Sequence, residues 1–167
     1  MSSNDFPELE INFLSHPELS KLVARDYEEL RKLIPSNTPK SVLVLSGSII
    51  EGALSDALIS SGKYDIKSVN KLTFVEIIEN AKALGVIRKT ELSSVLRVYR
   101  NLVHPAREVI DQVEFDGADA TLARAAVDVV LKELRTWSLF SHAIKQITEN
   151  EALLLKIFAD PPTPTSV

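Results

Sequence analysis

Leu92, Val95, Leu96, Tyr99, Leu102 and Val103 recur at i, i+3, i+4, i+7, i+10 and i+11, a spacing that gathers into one apolar face only on a helix. The other long periodic stretches share that period. Leu19, Leu22, Val23, Leu30 and Leu33 form a stripe, and so do Val42, Ser46, Ile49, Ile50, Ala53 and Ala57. With only five glycines in 167 residues, the pattern predicts an all-α bundle of five or six helices in one domain.

Local punctuation sets the expected boundaries. Residues 1–14 read as an extended arm, residues 15–160 as the helical domain and residues 161–167, Pro-Pro-Thr-Pro-Thr-Ser-Val, as a disordered tail. Ser15-His-Pro-Glu18 is an S-x-x-E capping box with Pro in the first turn, so a first helix starts there and stops before Pro35. A second helix runs from about 40 to 61 and ends at Gly62; on its wheel Ser48, Glu51 and Ser55 lie opposite the apolar stripe. A third, near 73–84, is capped by Thr73 with Glu76 and closed by Gly85. The fourth covers about 89–104, the fifth Asp119 to Phe140, and a sixth opens at the capping box Thr148-Glu-Asn-Glu151.

Composition excludes several classes. There is no cysteine, hence no disulfide or thiolate chemistry, which fits a reducing cytoplasm. The N-terminus lacks the basic and apolar regions of a signal peptide. The apolar run Ser41–Ser60 is interrupted by Ser46, Gly47, Ser48, Glu51 and Asp56, so no membrane span is expected. His16, His104 and His142 are scattered without ligand spacing, and neither a metal nor a cofactor is expected. The fifth helix carries Leu122, Val127, Val129, Val130, Leu131, Leu134 and Trp137 around much of its circumference, more than one core face needs. That surplus predicts either a central helix or a second buried face, and hence a homodimer.

Charge is unevenly spread. The chain carries −4 in total, but Ala81–Arg107 holds six basic residues (Lys82, Arg88, Lys89, Arg97, Arg100, Arg107) against Glu91, which is +5 and leaves −9 elsewhere. A basic segment on an acidic body suits a focused anionic ligand, and Arg88, Lys89 and Arg107 are candidate RNA phosphate contacts. Within it, Leu96-Arg-Val-Tyr-Arg-Asn-Leu-Val-His-Pro105 places Arg100 four residues and Arg97 seven residues before His104, near one helix face. With Leu92 at zero, Arg100, His104 and Arg97 fall at roughly 80°, 120° and 140°, flanking the core stripe. Pro105 disfavours helical geometry at His104, which places that imidazole near a helix C-terminus. A fixed guanidinium beside a group that moves protons near neutrality is what phosphodiester chemistry requires.

From Arg97 to Pro105 the chain resembles the HEPN superfamily, whose signature is Arg, four to six residues, then His, often with a polar residue directly after the Arg. The resemblance extends upstream to Ile49-Ile-Glu51-Gly-Ala-Leu54 and Ala83-Leu-Gly-Val-Ile87, covering about residues 40–106. Here Arg100 is followed by Asn101 but only three residues separate it from His104, while Arg97 has six intervening residues but is followed by Val98. The resemblance implies a helical bundle, usually homodimeric, with metal-independent endoribonuclease activity of a toxin, defence or RNA-processing kind. Arg100 and His104 would be catalytic, with Arg97, Asn101 and Glu51 in support, and RNA or a nucleotide as ligand. The Leu-Gly-Val-Ile run before the motif helix also resembles the mannitol operon repressor family. That likeness implies a non-catalytic regulatory or protein-interaction module, antitoxin-like or transcriptional, with a protein partner.

Overall fold

The computed structural model describes residues 9–88, 114–150 and 155–156, and these form an all-α bundle. Five helices lie among the described residues: α1 (Pro17–Lys32), α2 (Pro39–Ser60), α3 (Ile66–Val69), α4 (Phe74–Ala83) and α5 (Gly117–Glu149).

The centre of the bundle is α2. Every substantial contact between these helices involves it: α1, α3, α4 and α5 each pack on α2. The reason is compositional. From Gly52 to Leu58 every residue is buried, nearly two full turns with no solvent face, and Val42, Leu43, Ser46, Ile49 and Ile50 extend the burial upstream. The side of α2 opposite its apolar stripe is therefore also covered, Ser55 included. α2 is long and apolar enough to cross a membrane by length and composition alone, and 67% of its most apolar stretch is buried by the rest of the chain.

α5 is a single helix of 33 residues, roughly 50 Å long. Its buried set, Ala120, Ala123, Ala126, Val127, Val130, Leu131 and Leu134, is one stripe, so the circumferential surplus in its sequence is not spent within the bundle centre. Asp116 caps it, accepting from the amides of Ala118 at 2.7 Å and Asp119 at 3.0 Å. No new helix opens at Thr148: its hydroxyl donates back to the Ile144 carbonyl at 2.8 Å, inside α5, which closes at Asn150.

The expected box at Ser15 also gives way. His16 is the N-cap of α1 and caps with no side chain; the carboxylate of Asp56, on α2, accepts the Ser15 and His16 amides instead. Residues 9–15 carry no helix, yet Leu14 is buried and Leu9, Ile11 and Phe13 pack on the core. The Ser138 hydroxyl of α5 fixes this strand of chain by donating to the Phe13 carbonyl at 3.0 Å.

The α4 boundaries match the sequence reading. Thr73 and Glu76 form both halves of the capping box. Gly85, at φ +74°, sits in the left-handed region, with Gly85 N–H on the Lys82 carbonyl at 2.9 Å and Val86 N–H on the Ala81 carbonyl at 3.0 Å. That pair of bonds is a Schellman closure, and only glycine enters it without strain.

Candidate functional site

Of the residues singled out in the sequence, Arg97, Arg100, Asn101, His104, Lys89 and Arg107 lie outside the described residues. Arg88 and Glu51 lie within them.

Arg88 is the last described residue before position 89. Val86 and Ile87, both buried, anchor the chain after α4, and the Arg88 amide then donates to Glu133 Oε2 of α5 at 3.2 Å. The Arg88 side chain is exposed. The described part of the basic segment is thus tied at Arg88 to the flank of α5.

Glu51 occupies a different place. Ser48, Glu51, Gly52 and Ser55 follow one another at i, i+3, i+4 and i+7 along α2, so they share a face. Gly52 lets α1 come close: a Cβ there would stand 2.9 Å from Val23 Cγ2. Beside this contact a crevice of about 250 Å³ opens between α1, α2 and the α3–α4 region. Leu19, Leu22, Ile66, Val69, Leu72 and Ile77 make its walls apolar, and Ser48, Glu51, Ser55 and Asn70 supply the polar groups. Glu51 is half-buried and makes no hydrogen bond or ion pair with a described residue. Among the described residues that line the crevice, Glu51 is the one ionisable group, a carboxylate able to receive a cation. Glu51 and Arg88 are not joined by any contact among the described residues; one faces α1 and α3, the other is tied to α5.

Next to the crevice lies a polar cluster that single-helix reasoning missed. The Ser48 hydroxyl donates to Asp26 Oδ2 at 2.7 Å, while Arg25 Nε and Nη2 reach Asp26 Oδ1 at 2.9 and 2.7 Å. Asp26 is buried and its charge is matched by this fork, which raises the Arg25 pKa above its usual value, chiefly through the hydrogen bond. At the other end of α2, Glu29, Lys32, Leu33, Lys40, Ser41, Val44 and Leu45 line a groove of about 600 Å³. Nearby, Arg124 of α5 donates to the Leu33 carbonyl at 3.3 Å, and burial lowers its pKa. These groups come from helices far apart in sequence, and no periodicity within one helix reveals them.

Among the described residues no group of three or more His, Asp or Glu side chains is placed to hold a metal ion. No family model matches this chain, and neither a curated protein nor a solved structure matches it.

Proposed function

We propose that this chain is an RNA-binding helical protein of the HEPN kind, in which Arg100 and His104 support metal-independent cleavage of the RNA backbone. The observation that carries the reading is the segregation of charge: +5 between Ala81 and Arg107, against −9 over the rest of the chain. Exposed Arg88 within that segment is consistent with a phosphate contact.

The chemistry follows from RNA itself. The ribose 2′-oxygen attacks its own phosphorus, the bond from phosphorus to the 5′-oxygen breaks, and a 2′,3′-cyclic phosphate and a 5′-hydroxyl result. His104 accepts the 2′-hydroxyl proton or donates one to the leaving oxygen. Arg100, with Arg97, neutralises the charge that builds on the phosphorane, and Asn101 orients the phosphate. Glu51 serves as the carboxylate partner of a basic residue.

Fluorescence anisotropy with labelled single-stranded RNA tests the binding step; affinity should fall steeply between about 50 and 200 mM salt as counterions are released. Cleavage should persist in EDTA, give cyclic phosphate ends, and stop when the scissile nucleotide is 2′-deoxy. His104→Ala should abolish cleavage with binding retained, whereas Arg100→Ala should weaken both. A protein that neither binds nor cuts a broad RNA panel defeats the reading. A regulatory or protein-interaction module is then the better account, and exposed Leu139, Phe140 and Ile144 at the far end of α5 favour it.

A further inference from the structure

Two polar groups in the crevice beside Gly52 are left without partners. Ser55 is only 7% exposed, lines the crevice, and its hydroxyl makes no hydrogen bond with a described residue. One turn before it, half-buried Glu51 is likewise unpaired. Polar groups so placed are normally matched, because apolar walls give nothing back for lost hydration. Here the walls run from Val69 and Ile77, 4% and 2% exposed, out to Leu22 and Ile66, 37% and 45% exposed.

Donors and acceptors in the crevice define its complement. Glu51, ionised, only accepts. The Ser48 proton is committed to Asp26 Oδ2 at 2.7 Å, so the Ser48 oxygen keeps lone pairs alone. Asp26 itself is matched by the Arg25 fork and does not compete for a cation. The crevice therefore asks for positive charge carried on N–H donors. Residues three and four apart on a helix stand about 5–6 Å apart at Cβ, so one nitrogen beside Glu51 reaches Ser48 or Ser55 as well.

The geometry narrows the cation further. Acceptors at successive heights along α2 suit the tetrahedral donors of an ammonium, whereas a planar guanidinium pairs best edge-on with a single carboxylate. A divalent metal ion would require about six oxygens, and Glu51 is the one carboxylate among the described lining residues. The apolar walls call for hydrocarbon behind the charge. A volume of about 250 Å³ lies below the roughly 300–1,000 Å³ of sites for drug-sized ligands, so that hydrocarbon is short. We propose that this crevice is a binding site for a small free primary amine, an ammonium on a short apolar body, held by Glu51 and Ser55. The basic partner of Glu51 is then the ligand's ammonium in place of a side chain, and the rest of the RNA reading is independent of it.

Isothermal titration of the full chain with pentylammonium chloride near pH 7, where the amine is charged, tests this without any nucleic acid. Pentylammonium should bind at least about 10-fold more tightly than pentanol or pentanoate, which share its hydrocarbon without its charge. Glu51→Gln should weaken binding about 10- to 100-fold and Ser55→Ala about 10-fold, with the far-ultraviolet circular dichroism unchanged. Glu18→Gln, a carboxylate of α1 that does not line the crevice, should leave the affinity as it was. Nα-acetyllysine methylamide carries a similar ammonium on a peptide backbone and should bind more weakly, since its amides meet apolar walls. Tighter binding by that compound assigns the crevice to a lysine of a protein partner and overturns the free amine. Equal affinity for pentanol, tighter binding of pentylguanidinium, or an affinity that survives Glu51→Gln each overturns the proposal. So does a native chain that takes no ammonium at about 10 mM. If that chain also loses stability on Glu51→Gln, a basic side chain of its own occupies the place, and the RNA reading stands.

Discussion

Asp56 Oδ1 accepts the backbone amide of His16 at 2.6 Å, and the same carboxylate shares the Ser15 amide at 3.0 and 3.1 Å. A residue near the C-terminal end of α2 thus satisfies two amides at the entry to α1, where a capping group from the same segment is more usual. Charge-assisted bonds of this kind are among the stronger ones, and Asp56 is buried. Asp56→Ala should therefore destabilise by about 2–3 kcal/mol in urea denaturation. Ser15→Ala, which removes only the expected but unmade cap, should change stability by less than about 0.5 kcal/mol.

Two glycines within α2 should respond in opposite directions. A Cβ at Gly47 meets nothing within 4 Å, so Gly47→Ala should stabilise by roughly 0.5–1 kcal/mol through helix propensity. A Cβ at Gly52 would come within 2.9 Å of Val23 Cγ2, and Val23, β-branched and fully buried, would have to shift to admit it. Overpacking of about 1–3 kcal/mol then outweighs the propensity gain, and Gly52→Ala should lower the melting temperature.

Tyr27 gives the fold an alkaline limit. Burial first, and the Asp128 charge second, push its hydroxyl up to about 12. Because the folded value lies above the unfolded one near 10, stability is complete below about pH 10 and declines as pH rises toward 12. The unfolded chain releases the proton earlier, which fixes that sign. Urea titrations at several alkaline pH values should give a steeper loss for the native protein than for Tyr27→Phe, whose curve lacks this contribution.

On the helical spacing of the sequence, Leu96 falls within the apolar stripe of the motif segment, whereas Arg100 and His104 flank it. Leu96→Ala should cost about 2–5 kcal/mol. Arg100→Ala and His104→Ala should each cost at most about 1 kcal/mol. Unfolding of His104→Ala would assign that imidazole to the core and remove it from any site.

What was legible in the sequence is what neighbouring residues decide. The α4 boundaries are of this sort: Thr73, Glu76 and Gly85 act within a turn of the helix ends they define. The four residues of α3 are too few to display a period. Ser15-x-x-Glu18 forms no box because a tertiary acceptor, Asp56, takes the Ser15 amide that the Glu18 carboxylate would have received. Thr148 was misread because a threonine hydroxyl can bond back inside a helix as readily as it caps a new one. The central role of α2 escaped because a helical wheel assumes one wet face, and Gly52–Leu58 has none. Glu51 stood out as a polar residue in an apolar helix, but its crevice needs side chains from α1, α2, α3 and α4 together. Arg97, Arg100, Asn101 and His104 fall outside the described residues, so their candidacy rests on the sequence.

The order of the helices has a consequence for synthesis on the ribosome. α2 is complete at Ser60, but the long helix that covers one of its sides begins only at Gly117. A growing chain can dock α1, α3 and α4 on α2 while the surface meant for Val127, Val130 and Leu134 is still bare. During that interval the nascent protein presents an apolar helix flank to solvent, and holding it apart from other emerging chains is a task for factors acting at the exit tunnel.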